Sequence, residues 1–217
     1  MSDGFLHKYF LSNAHKPLFK WIHYFDIYER HFERFRGRCP VMVEIGIAHG
    51  GSVAMWKEYF GSGCKIVGIE INPDFKQHEA EDIEIFIGSQ DDPNLINAVL
   101  ARYPQIDVVL DDGSHMNNHM RDTFTLLYDR IKADGVYMVE DTHTCYWPEF
   151  GGGFRVPSSF LEWSKNKIDE LNAVNTRGEI PVSTFTRSTD HIAFYDSVIV
   201  FEKRRQGKRQ MPTTEPL

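Results

Sequence analysis

The chain of 217 residues is poor in cysteine, has no long apolar run and carries no excess of basic charge. Its three cysteines, Cys39, Cys64 and Cys145, are widely spaced and form no CxxC pair. That argues against a disulfide framework and against a thiolate zinc site. No segment approaches the roughly 18 apolar residues needed to span a bilayer. The N-terminal MSDGFLHKYFLSNAHKP lacks the apolar core of a signal peptide. These absences predict a soluble, cytoplasmic protein with no membrane partner. Lys and Arg number 24 against 31 Asp and Glu, a net charge of −7, so a nucleic-acid partner is not expected. The basic run from Lys203 to Arg209 is confined to the tail. Repeats and low-complexity tracts are missing too, and 41% hydrophobic residues fit one globular domain with at most a small appendage.

What is present begins with aromatics and histidines crowded into residues 1–38. Ile22, Phe25, Tyr28, Phe32 and Phe35 recur at helical spacing, so a helix is predicted within 19–35. This segment reads as a helical cap or interface, feeding a homodimer. From residue 41 the pattern alternates. VMVEIGI (41–47), KIVGIEI (65–71), IEIFIGS (83–89), IDVVLDD (106–112) and GVYMVED (135–141) read as buried strands. Helical stretches at 52–61, 93–103 and 119–131 separate them, and another follows at 159–175. HIAFYD and SVIVFEK (191–203) read as a terminal hairpin. Apolar strands alternating with helices give an α/β fold with a parallel sheet covered on both faces. The main domain is placed at 39–204, and the last residues, 205–217, are expected to fray.

In such sheets ligands bind beyond the carboxyl ends of the strands, and here every predicted strand end carries an acid. EIGIAHGGS (44–52) offers a tight glycine turn and a helix N-terminus. Its Gly46-Ile47-Ala48-His49-Gly50-Gly51 departs from the dinucleotide fingerprint at Ala48, and Glu44 before it would repel a pyrophosphate. A sulfonium ligand with an ammonium group tolerates that acid; a nicotinamide-dependent oxidoreductase remains the alternative. Glu70 ends the second strand, where an acid accepts ribose hydroxyls. Asp91 either receives an adenine amino group or caps helix 93–103. Asp112, Glu140 and Asp141 end two strands expected to be neighbours and suit a hard cation such as Mg²⁺. His115 and His143 flank them. The loop 143–157, with Tyr146, Trp147 and Phe150 ahead of three glycines, is read either as a lid over a sugar or as packing.

VEIGIAHGGS, IVGIEINP, IGSQDDP, DDGSH and VEDTH, with HYFDIYERHF, YWPEFGGG and HIAFYDSVIVFEK, resemble the bacterial class I S-adenosylmethionine-dependent sugar O-methyltransferases. That group includes macrolide-sugar O-methyltransferases, with the cephalosporin hydroxylase group as relatives. Among short members the chain is similar to the methylmannose polysaccharide 1-O-methyltransferase. The resemblance implies a Rossmann-like fold with a mostly parallel seven-stranded sheet and a C-terminal antiparallel hairpin. It implies S-adenosylmethionine held by Glu44, Gly46, Ala48, Gly50, Ser52, Glu70, Ser89, Gln90, Asp91 and Asp111. It implies Mg²⁺ on Asp112, Glu140 and Asp141, His115 as general base with His143 as rival or helper, and a sugar or glycoside acceptor near Tyr146 and Trp147. A catechol-type O-methyltransferase and a hydroxylase-like relative are the other readings.

Overall fold

The computed structural model describes residues 4–204 and 212–213; the expected frayed tail lies almost wholly outside them. Seven strands form one sheet: β1 Val41–Ile45, β2 Lys65–Glu70, β3 Ile83–Ile87, β4 Ile106–Asp111, β5 Ile131–Val139, β6 Thr189–Tyr195 and β7 Val198–Lys203. Their order is β3-β2-β1-β4-β5-β7-β6. The first five run parallel, and β7 pairs antiparallel with both β5 and β6. The strand order reverses between β1 and β4, which places a ligand crevice at their carboxyl ends.

Side chains alternate along each strand and build a core on either face. On one face Met42, Ile66, Val108 and Met138 meet α1 (Phe5–Ser12), α2 (Tyr24–Phe32) and α3 (Gly51–Phe60). On the other Val43, Ile45, Val109 and Tyr137 meet α4 (Pro93–Arg102), α5 (Asn117–Leu127) and α6 (Phe160–Leu171). The aromatics from Tyr24 to Phe35 are therefore core residues of this chain. Phe25, Tyr28 and Phe32 from α2 and Trp56 from α3 are all fully buried, at roughly 1.5–3 kcal/mol for each large apolar side chain.

Several expected boundaries move. Only Tyr24–Phe32 of the stretch 19–35 is regular α-helix. Residues 13–22 form an irregular strap that carries the Lys20 ammonium in among acids. The helix at 119–131 ends at Leu127; a 3-10 turn follows, and β5 begins at Ile131 with a register shift against β4. The helix at 159–175 stops at Leu171, capped at its start by Ser159. An unanticipated helix, α7 Thr184–Ser188, is held by a capping box between Ser183 and Thr186. Among the described residues, no helix is long and apolar enough to cross a membrane.

Candidate active site

A cavity of about 600 Å³ opens beyond the carboxyl ends of the parallel strands. Its floor is the turn after β1. Gly46 has φ +79° and lies so close to β4 that a Cβ would meet the Asp112 carbonyl oxygen at 2.1 Å, so only glycine fits. Gly46, Ala48, Ser52, Glu70, Ser89 and Gln90 line this cavity, as do Asp112, His115 and Asp141. One continuous space therefore joins the glycine turn to the acid–histidine cluster.

The Glu70 carboxylate is braced before any ligand arrives. Its Oε2 accepts the Ile47 and Ala48 amides, each at 3.1 Å, and its Oε1 accepts the Asn72 amide at 2.9 Å. An ionised carboxylate offers about four acceptor sites, so capacity remains for a hydroxyl. Ile69, Ile71 and Phe75 supply an apolar wall beside it. That wall suits a flat heterocycle and was not anticipated.

Several expected cofactor residues sit behind this lining. Glu44 is fully buried and bonded at 3.0 Å to both Ser52 Oγ and Trp56 Nε1, which ties β1 to the start of α3. Burial pushes its carboxyl up to about 7. Asp111 accepts Gln90 Nε2 at 3.0 Å and Tyr137 OH at 3.2 Å, and burial raises it likewise to about 7. Both acids brace lining residues and do not form the cavity wall. Gly50, in the left-handed region at φ +74°, is the residue preceding α3. Asp91 does not cap α4; Asp92 does, accepting the Asn94 amide at 2.8 Å. Asp91 instead takes the Ser89 hydroxyl and lies 3.5 Å from His119 Nε2.

The acid cluster has a feature that motif reading missed. The strap carries Lys20 into it. Lys20 Nζ lies 2.6 Å from Asp112 Oδ2 and 2.9 Å from Glu140 Oε2, with 3% of the side chain exposed. Burial alone would lower the ammonium's pKa, but Asp112, Glu140 and Glu44 hold it above its ordinary value. Helix α2 contributes two hydroxyls. Tyr28 OH donates to Glu140 Oε1 at 2.5 Å, and Tyr24 OH donates to Asp141 Oδ1 at 2.6 Å. Burial, then the charge of Asp112, pushes Glu140 up to about 8.

Two carboxylate oxygens remain directed at one histidine. His115 Nε2 is 3.7 Å from Asp141 Oδ2 and 4.0 Å from Asp112 Oδ1. Asp112, His115 and Asp141 each bring one ligand atom within 4.8 Å of the others. This donor set fits a hard divalent ion, since two of its groups offer anionic oxygen. Glu140 is outside that trio, because Lys20 and Tyr28 occupy both of its oxygens. His115 and Asp141 adopt left-handed φ values of +56° and +51°, a conformation that costs free energy and concentrates at functional sites.

His143 stands one step outside the cavity. Its Nδ1 contacts Ser197 Oγ at 3.1 Å and lies 3.9 Å from Asp141 Oδ1. The Trp147 ring packs edge-on against it at 4.9 Å. Tyr146 and Trp147 are 48% and 44% exposed, which leaves them free to meet a bulky ligand. The loop bearing them is pinned. Asn117 Nδ2 donates to the Phe150 carbonyl at 2.9 Å, and the Gly153 amide to the Cys145 carbonyl at 2.8 Å. A Cβ on Gly152 would strike the Cys145 carbonyl at 2.3 Å. That glycine thus serves close packing.

Comparison with known proteins agrees with this geometry. Residues 35–151 match the family model described as rhamnosyl O-methyltransferase/CmcI. The chain is 38% identical to mycinamicin VI 2''-O-methyltransferase of Micromonospora griseorubida, over 94% of this chain and 54% of that protein. It is 34% identical to the 8-demethyl-8-alpha-L-rhamnosyl tetracenomycin-C 2'-O-methyltransferase of Streptomyces olivaceus, over 85% of this chain and 52% of that one. The chain thus spans about half the length of these relatives. Among solved structures, the methyltransferase MycE in complex with Mg, SAH and mycinamycin VI superposes with a TM-score of 0.80. That match has 30% identity and covers 97% of this chain and 55% of MycE.

Proposed function

The chain belongs to the rhamnosyl O-methyltransferase/CmcI family, and from that premise we propose that it is a Mg²⁺-dependent O-methyltransferase. It moves a methyl group from S-adenosylmethionine to a sugar hydroxyl. The acceptor is a glycosylated natural product or a polysaccharide sugar, with methylmannose polysaccharide as one candidate. The observation that carries this reading is the single cavity, with the braced Glu70 at one end and the Asp112–His115–Asp141 trio at the other.

S-adenosylmethionine supplies a methyl group already activated on a sulfonium. Glu70 takes the ribose hydroxyls, Ser89 and Gln90 the adenine side, and Gly46, Ala48 and Ser52 the methionine end. Glu44, Gly50, Asp91 and Asp111 fix those residues in place. The remaining barrier lies with the acceptor, since a sugar hydroxyl is a poor nucleophile at neutral pH. Asp112 and Asp141 would hold Mg²⁺, with Glu140 as the third acid of the cluster. A divalent ion favours the ionised form of an oxygen it holds, lowering the pKa of water from about 15.7 to about 7. His115 takes the hydroxyl proton as the oxygen forms its bond to the methyl carbon and the S–CH₃ bond breaks. Such proton transfer contributes about 10²–10⁴-fold. His143 orients Asp141 from behind, and Trp147 and Tyr146 offer faces to sugar C–H surfaces. A homodimer through the N-terminal segment is part of this reading. Leu11, Phe19, Trp21 and Ile22 stay exposed there, and sedimentation analysis tests it.

Calorimetry with S-adenosylmethionine, in Mg²⁺ and then in EDTA, is the first test. Binding in both buffers is expected and places the metal with the acceptor. Absence of binding in either overturns the methyltransferase reading. A panel of macrolide glycosides, rhamnosides, methylmannosides and catechols follows. Methylation of catechols alone would overturn the sugar assignment.

A further inference from the structure

The strap residue Lys20 has a consequence for the metal. Lys20 Nζ is seated between Asp112 Oδ2 and Glu140 Oε2, nearly out of solvent, and lies 5.9 Å from the Tyr28 ring centroid. Asp112 presents its other oxygen to the Asp141–His115 side. Two cations placed on this cluster would therefore bond the two oxygens of one carboxylate.

We propose that Lys20 is a tethered competitor for the divalent ion. It neutralises the Asp112–Glu140 pair when no metal is bound and withdraws from Asp112 when the ion takes that acid. This inference rests on the function proposed above and concerns how that same site is regulated.

Three observations support it. First, Asp112 and Glu140 both bond the single ammonium, and the charge of Glu44 acts on it as well. Inside a protein a unit charge about 4 Å away acts strongly enough for one cation to set the affinity of another. Second, lysine is a point charge on a flexible four-carbon stem, and a second cavity of about 450 Å³ lies beside it, lined by Lys20, Trp21, Tyr24 and Glu140. The ammonium has space to swing into. Third, the strap itself is irregular, so its movement breaks no helix. Leu18, Phe19 and Lys20 line both cavities, so withdrawal of the lysine would join the cofactor space to the outer one. Metal occupancy is thereby coupled to the wall between them.

The test is a Mg²⁺ titration by calorimetry on the full chain, without cofactor or acceptor. Lys20→Gln keeps a polar side chain with a hydrogen-bond donor and removes the charge. It is expected to tighten Mg²⁺ binding by about tenfold or more. Lys20→Arg keeps the charge and is expected to bind no more tightly than the wild type. Structural damage would weaken binding, so a gain confined to Gln is diagnostic. Equal or weaker binding by a folded Lys20→Gln overturns the proposal, as does absence of Mg²⁺ binding in both proteins. If Lys20→Gln is unfolded without metal, refolding in Mg²⁺ supports the proposal and failure to refold in saturating Mg²⁺ overturns it. S-adenosylmethionine affinity, measured separately, shows whether the functional reading itself has failed.

Discussion

Helix α2 touches two buried acid clusters, one at each end, and they are built on opposite principles. At its start Tyr24 and Tyr28 meet Asp141 and Glu140 at the strand ends. At its end His31 meets Glu202 of β7 at 2.5 Å, joined by Arg34 at 2.6 Å. Around Glu202 the Arg34 guanidinium matches the acid. Burial would raise its carboxyl, but His31 and Arg34 hold it below the ordinary glutamate range. At the strand ends acids outnumber cations, and Glu140 is driven up to about 8. A balanced cluster fastens the N-terminal segment to the sheet. An unbalanced one has negative charge to spare, which the proposed metal site would use. The same residue types in the same fold thus separate by charge count.

The largest test of that contrast is Asp112→Ala. Turnover in Mg²⁺ should be abolished while S-adenosylmethionine binding, read by calorimetry, stays within a few-fold of wild type. Normal turnover of this variant in chelator would sink the metal assignment. His115→Ala comes next, with an expected loss of at least about 10²-fold in kcat. A greater loss for His143→Ala would exchange the roles of the two histidines.

Glu202→Gln should act on stability instead. It leaves Arg34 and His31 without their acid, at a cost of about 2 kcal/mol in denaturant melts, and kcat should stay near wild type. A catalytic loss without a stability loss would erase the distinction between the clusters. The smallest effects are in pH dependence, and they have opposite signs. The folded-state pKa of Glu202 is depressed, so its contribution is present above the unfolded value and lost as pH falls. Glu202→Gln should flatten the acid side of the stability profile. Glu44 is raised to about 7, so its contribution is complete below the ordinary glutamate range and lost as pH rises through about 7. Glu44→Gln should remove the fall in stability between pH 4.5 and about 7. Identical profiles for the two variants would contradict both assignments.

Much of this was legible in the sequence. The five parallel strands are short apolar runs, and a run buried on both faces needs no tertiary information to be recognised. The hairpin at β6 and β7 announced itself by two β-rich runs meeting at a tight turn. The acids at the strand ends followed from the strand assignments, which is why Asp112, Glu140 and Asp141 were grouped, with His115 and His143 beside them. Lys20 was not legible. It lies 92 residues from Asp112 and 120 from Glu140, in a segment whose periodicity pointed to helix. Nothing local marks a lysine as an internal counter-ion. The roles of Tyr24 and Tyr28 were hidden for the same reason. Their rings satisfy the core pattern, and only the fold reveals where the hydroxyls reach. Glu44 and Asp111 show the converse. An acid beside a ligand-binding turn looks like a ligand contact until its oxygens are found bonded to the scaffold.

The contact between Gly46 and the Asp112 carbonyl bears on how such a site changes over generations. Two backbones meet there, so no side-chain substitution on the partner loop relieves a residue larger than glycine. In a saturation library scored for folding, position 46 should tolerate nothing, whatever the genotype at position 112. Tyr146 and Trp147, whose rings are largely exposed, should accept many residues in the same screen. New acceptors would then be reached by changing the outer loop, while the floor beneath the chemistry stays fixed.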